Sequence, residues 1–131
     1  MLKKEITSTD FNGITTTETY YFNLTQAEVM EMEMGTTGSF SEMLQRIIDA
    51  RDMAAIIKVV KELILKSYGI KSLDGKRFDK SPEISEAFSR TNAYSVLFME
   101  LATDDKAAAD FVNGIMPKVP TTGSPASPSN N

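Results

Sequence analysis

The groups that could do chemistry in this chain are carboxylates, and three sets of them stand close enough in sequence to be weighed. Glu31 with Glu33, and Asp104 with Asp105, are candidates for the paired acids of glycoside cleavage, one giving a proton while the other attacks or activates water. Side chains one or two positions apart on a helix diverge, so neither pair converges on a substrate. They are better explained as solvated acids on a helix face and at a helix start. Asp74, Asp79 and Glu83 invite comparison with a calcium loop, but they lack the alternate oxygen ligands and the inner Gly of an EF-hand. No metal site is expected.

Composition removes most of the remaining chemistry. The 131 residues include no His and no Cys, which excludes disulfides, thiol nucleophiles, most zinc sites and the usual general base near neutral pH. No glycine-rich phosphate loop, nucleophile elbow or H-E-x-x-H is present. The expectation is a protein without catalytic activity or cofactor. Fourteen basic residues against 18 acidic ones leave a net charge of -4, and the basic residues are scattered without interleaved aromatics. Nucleic acid is therefore not an expected partner. There is no charged-then-apolar leader and no long uncharged apolar run, so neither export nor a membrane partner is expected and the cytoplasm is the default location.

The elements that must position these residues centre on DMAAIIKVVKELILKSYG, from Asp52 to Gly69. Met53, Ile56, Ile57, Val60, Leu63, Ile64 and Tyr68 recur at helical spacing, predicting a broad buried face, with Val59 and Leu65 outside it. Asp52 suits the N-cap, and Gly69 the left-handed position past the C-terminus. Ahead of it, LKKEITSTDFNGITTTETYYF predicts a β-hairpin, with strands over about 2–10 and 15–22 joined by a two-residue turn at Asn12-Gly13. The hairpin is expected to be the only β structure, and its Thr-rich edge offers an assembly surface.

Thr25 and Glu28 form a capping box, with Leu24 and Val29 as its hydrophobic staple, for a helix from Gln26 to Met34. Ser39 and Glu42 repeat the pattern for a second helix, with a stripe of Phe40, Met43, Leu44, Ile47 and Ile48, ending near Ala50. After the central helix, IKSLDGKRFDK is expected to be a solvated loop with a turn at Asp74-Gly75. Ser81-Pro82 starts a fourth helix to about Arg90, Thr91 a fifth, and Thr103-Asp104 a sixth that ends at Asn113-Gly114. The fold class predicted is mainly α, a compact domain of about six helices with an N-terminal β-hairpin over residues 1–116. Residues 117–131, rich in Pro, Ser and Thr, are expected to be a disordered tail.

Eight Met in a chain of this size suit either an irregular core or an adaptable surface. Met30, Met32 and Met34 spread around their helix, and Val96 and Met99 lie off the main stripe Tyr94, Leu97, Phe98 and Leu101. One core cannot take all five, so they are the candidate partner-binding residues; the plain alternative is that neighbouring helices cover both sides.

Taken together, YYFNLTQAEVMEMEM, AAIIKVVKELILKSYGIKSLDGKRF and FSRTNAYSVLFMELATDDKAAADFVNGIMP resemble the tail assembly chaperones of long-tailed bacteriophages and prophages, over about residues 15–117. The resemblance implies a mostly helical protein of the bacterial host cytoplasm. Its partner would be the long helical tape-measure protein, kept soluble during virion morphogenesis until tail-tube subunits polymerise around it. Tail-tube subunits and further copies of the chain are additional partners to consider. The family has no catalytic motif to carry over. The rival reading is a small structural tail or head-completion protein retained in the virion.

Overall fold

The computed structural model of the chain describes residues 1–34 and 40–117. In chain order its strands are β1 (Leu2–Thr9), β2 (Thr15–Phe22), β3 (Tyr68–Lys71) and β4 (Phe78–Asp79). Its helices are α1 (Gln26–Glu33), α2 (Phe40–Ala50), α3 (Met53–Ser67), α4 (Pro82–Ser89), α5 (Asn92–Thr103) and α6 (Asp105–Ile115). The strands make one antiparallel sheet in the order β1-β2-β3-β4. The architecture is thus mixed α/β rather than mainly α, although the six predicted helices are all present among the described residues.

The hairpin forms as its alternation demands. Leu2 pairs opposite Phe22 and Thr9 opposite Thr15, and in β1 the even-numbered side chains turn toward the helices while Lys3, Glu5, Thr7 and Thr9 turn to solvent. On that outer face the hydroxyls of Thr7 and Thr17 meet at 2.6 Å and those of Thr9 and Thr15 at 2.8 Å. The connection is longer than the predicted two-residue turn. The Asp10 carboxylate accepts from the N–H groups of Asn12 and Ile14, and the Asp10 carbonyl accepts from Gly13, which holds a loop from Asp10 to Ile14. Within it Gly13 alone has a positive φ, 82°, whereas a type I′ turn needs one at both central residues.

The hairpin is not the only β structure. After α3 the chain passes directly into β3, and Gly69 is extended in that strand, opposite Tyr21, instead of left-handed beyond a helix end. Its missing side chain leaves room for the Phe78 ring, since a Cβ there would lie 2.6 Å from Phe78 Cε2. What the sequence presents as a solvated loop is therefore a short β3–β4 hairpin. Its turn is at Asp74-Gly75 as predicted, with Gly75 at φ 74° and the Asp74 carboxylate accepting from the Ser72 hydroxyl and the Lys76 N–H.

Helix starts follow the caps read from the sequence. Thr25, Asp52, Ser81 and Thr91 each accept a backbone N–H of the first turn, and Asp104 accepts two. The sixth helix does not end at Asn113-Gly114 but continues to Ile115, and Leu24 N–H donates to the Ile115 carbonyl at 2.9 Å. Gly114 is where α6 passes β1, a Cβ there lying 2.8 Å from Leu2 Cδ1. The predicted Ser39 cap, the side chains of Phe40, Met43, Leu44 and Ile47, and the tail from 118 onward lie outside what the structure describes.

The core joins Ile6, Phe22 and Leu24 to Val60, Leu63 and Ile64 of α3, Leu97 and Leu101 of α5, and Phe111, Val112 and Ile115 of α6. The buried face of α3 differs from the predicted one. Helices α4, α5 and α6 pack on the strip through Ile56, Val60, Leu63, Ile64 and Ser67, leaving Met53 and Ile57 at the surface, 55% and 43% exposed. Val59 and Leu65, read as outside the face, are half-buried against the core. Ser67 is fully buried without an orphaned donor, because its hydroxyl donates to the Leu63 carbonyl at 2.6 Å.

Candidate functional site

The predicted partner-binding residues sit on two helices whose starts are firmly anchored. At α1 the capping box is complete: Thr25 Oγ1 accepts from Glu28 N–H at 3.1 Å and the Glu28 carboxylate accepts from Thr25 N–H at 2.8 Å. Lys80, just ahead of α4, donates to both Glu28 oxygens at 2.9 and 2.8 Å and to the Asn23 carbonyl at 2.7 Å. Burial of Glu28 works against its charge, but the Lys80 hydrogen bond and ion pair, with the Thr25 N–H, outweigh that and hold the carboxyl below its ordinary pKa. This lysine clamps α1 to the start of α4, across more than fifty residues of chain.

Beyond that clamp α1 has no fully buried residue. Val29 and Met32 lean on the core, whereas Met30 and Met34 stand out, 69% and 82% exposed. Helix α5 is fixed differently. Ala93, Leu97 and Leu101 are buried, Glu100 pairs with Lys4 of β1 at 3.2 Å, and the Asn92 amide donates to the Thr9 carbonyl at 2.8 Å. Its opposite side carries Val96 and Met99, 45% and 54% exposed.

Of the five residues, four are at the surface and Met32 is packed against the core. They are not brought into one cluster: α1 packs beside α2, while α5 packs on β1, α3, α4 and α6. Other exposed apolar side chains escaped the helical pattern. Phe11 and Ile14 stand at the hairpin tip, and Leu73 at the β3–β4 turn. The available signal was an apolar residue inside turn sequence, where burial is hard to arrange. Met53 and Ile57 add an exposed strip on α3.

Chemically, thioethers and branched apolar groups on rigid helices can bind an apolar stripe but cannot turn over a substrate. Asp74 caps its turn, Asp79 pairs with Arg77 at 3.2 Å, and Asp104 caps α6. Among the described residues no three acids form a metal-binding group, and no helix is long and apolar enough to cross a membrane.

Searches of curated proteins and of solved structures gave no match. The model of a family described as phage tail assembly chaperone matches residues 1–120, a span that takes in the strand β1, left out of the resemblance read from the sequence, and every described element after it. With nearly the whole chain matched, this protein belongs to the phage tail assembly chaperone family.

Proposed function

We propose that this chaperone binds the tape-measure protein in the host cytoplasm and keeps it soluble until tail-tube subunits polymerise around it, without remaining in the finished particle. It works by binding alone, without catalytic turnover, cofactor or metal. The observation that carries the reading is the family match over residues 1–120, joined to exposed Met30, Met34, Val96 and Met99 on well-anchored helices. A long amphipathic helix presents successive, non-identical apolar turns, and flexible thioethers adapt to each. Affinity per site is then modest, and many copies along one partner supply the total by avidity.

The test is capture of tape-measure fragments by the wild type and by a Met30→Asp, Met34→Asp, Met99→Asp variant. The variant is expected to lose capture while its circular dichroism and melting stay near wild type. Undiminished capture by a folded variant overturns the surface assignment. Presence of the protein in purified virions at fixed stoichiometry, measured by mass spectrometry, favours the structural tail or head-completion role instead.

A further inference from the structure

The side chains that peroxides oxidise most readily are thiols, indoles and thioethers, and the first two are missing from this chain. With no Cys and no Trp, its eight methionines are what such an oxidant meets. The fold grades those it places. Met30 and Met34 on α1 and Met99 on α5 are each more than half exposed, whereas Met32 and Met116 are packed against the core. Met53, at the start of α3, is exposed as well. The most accessible thioethers thus include three of the side chains read above as the partner surface.

We propose that Met30, Met34 and Met99 form a reversible oxidation site that switches the partner surface off. The inference rests on the reading of these side chains as the surface that holds the tape-measure protein. In the step itself a sulfur lone pair attacks one oxygen of hydrogen peroxide, the O–O bond breaks, and the departing hydroxide takes up the proton and leaves as water. Sulfur is oxidised by two electrons to the sulfoxide, and the peroxide is reduced. What changes is the surface and not the fold. A sulfoxide oxygen accepts hydrogen bonds from water, so pressing it against an apolar stripe leaves that acceptor unsatisfied. On α1 the fold loses little, because Met30 and Met34 stand in water and the helix is held by the Thr25–Glu28 capping box and the Lys80 ion pair. On α5 the anchors are Ala93, Leu97 and Leu101, on the side opposite Met99. The same oxidation at Met32 sets a polar group against the core. A switch therefore needs the outward thioethers to react ahead of the packed one, and their exposure supplies that order.

The test adds dilute hydrogen peroxide to the full chain and follows each methionine by peptide mass spectrometry. Met30, Met34 and Met99 are expected to gain oxygen before Met32 and Met116, with circular dichroism and melting near wild type. Oxidation of Met32 or Met116 as early as the three overturns the site. Capture of tape-measure fragments is expected to fall about tenfold or more once the three are oxidised, since each loses an apolar contact. It should return after treatment with the two methionine sulfoxide reductases, one for each epimer, and with no Cys in the chain their thiol reductant has no disulfide to disturb. A Met30→Leu, Met34→Leu, Met99→Leu variant keeps the apolar surface without the sulfur and should capture equally before and after peroxide. Capture that survives oxidation of the three in the wild type, or that is lost equally in the leucine variant, overturns the proposal. Failure of the untreated wild type to capture is a different result: it overturns the tape-measure reading, and the switch falls with it.

Discussion

Phe88 of α4 lies flat on Tyr68 at the end of α3, the ring centroids 4.1 Å apart and the planes 11° from parallel. The same Phe88 has Tyr20 at 5.3 Å, Phe22 at 5.9 Å and Tyr94 at 5.8 Å, so one ring joins the sheet to two helices. Burial, helped by nearby Tyr20, raises the Tyr68 phenol above its ordinary pKa, and the cluster is uncharged near neutral pH.

Phe88→Ala should therefore be among the most damaging single changes. Removing a buried aromatic typically costs about 3–5 kcal/mol, out of a total near 5–15 kcal/mol for a domain. Urea unfolding measures it, and a loss under about 1.5 kcal/mol would mean that the neighbouring rings close over the gap.

Two glycines should respond differently to Ala. At Gly69 the new methyl meets the Phe78 ring at 2.6 Å, and the ring is held between the sheet and Lys80, whose Nζ lies 5.7 Å from the ring centroid. We expect Gly69→Ala to destabilise by about 1–3 kcal/mol through overpacking. At Gly114 the obstacle is the flexible end of Leu2, and the helix gains roughly 1 kcal/mol from Ala. Gly114→Ala should be close to neutral in melting experiments, and an equal loss at both sites would contradict the distinction.

Glu28 predicts a pH dependence with a definite sign. Its folded pKa lies below the unfolded value near 4.5, because the Lys80 and Thr25 contacts outweigh burial. The stabilisation is thus present in full above the unfolded value and is lost as pH falls through the folded one. Glu28→Gln should flatten that part of the stability profile below about pH 5. Superimposable acid slopes for wild type and variant would show that other carboxylates govern it.

Met32 and Met34, two residues apart, should separate fold from binding. Met32→Asp places a carboxylate against the core and should cost about 2–4 kcal/mol, whereas Met34→Asp at an 82% exposed site should stay within about 0.5 kcal/mol. Thermal melts of the two single variants decide it. Comparable losses would place both methionines in the packed interior.

The sequence alone determined whatever depends on neighbours along the chain. The caps at Thr25, Asp52, Ser81, Thr91 and Asp104, the turn at Asp74-Gly75 and the pairing of the first two strands are local chemistry, written within a few residues of where they act. The exposure of Met30 and Met34 was also legible, since three methionines spread around one short helix cannot share a single core-facing side. Tertiary structure decided the rest. Strands β3 and β4 are too short to carry a period of their own and form because β2 offers Tyr21 and Phe22 as partners. Which strip of α3 is buried depends on where α4, α5 and α6 come to rest, and so Met53 and Ile57 face out although their spacing matches that of the core. Met32 and Met34 look alike in sequence, but one leans on the core while the other projects from the end of α1, because burial belongs to the packed neighbours and not to the residue type.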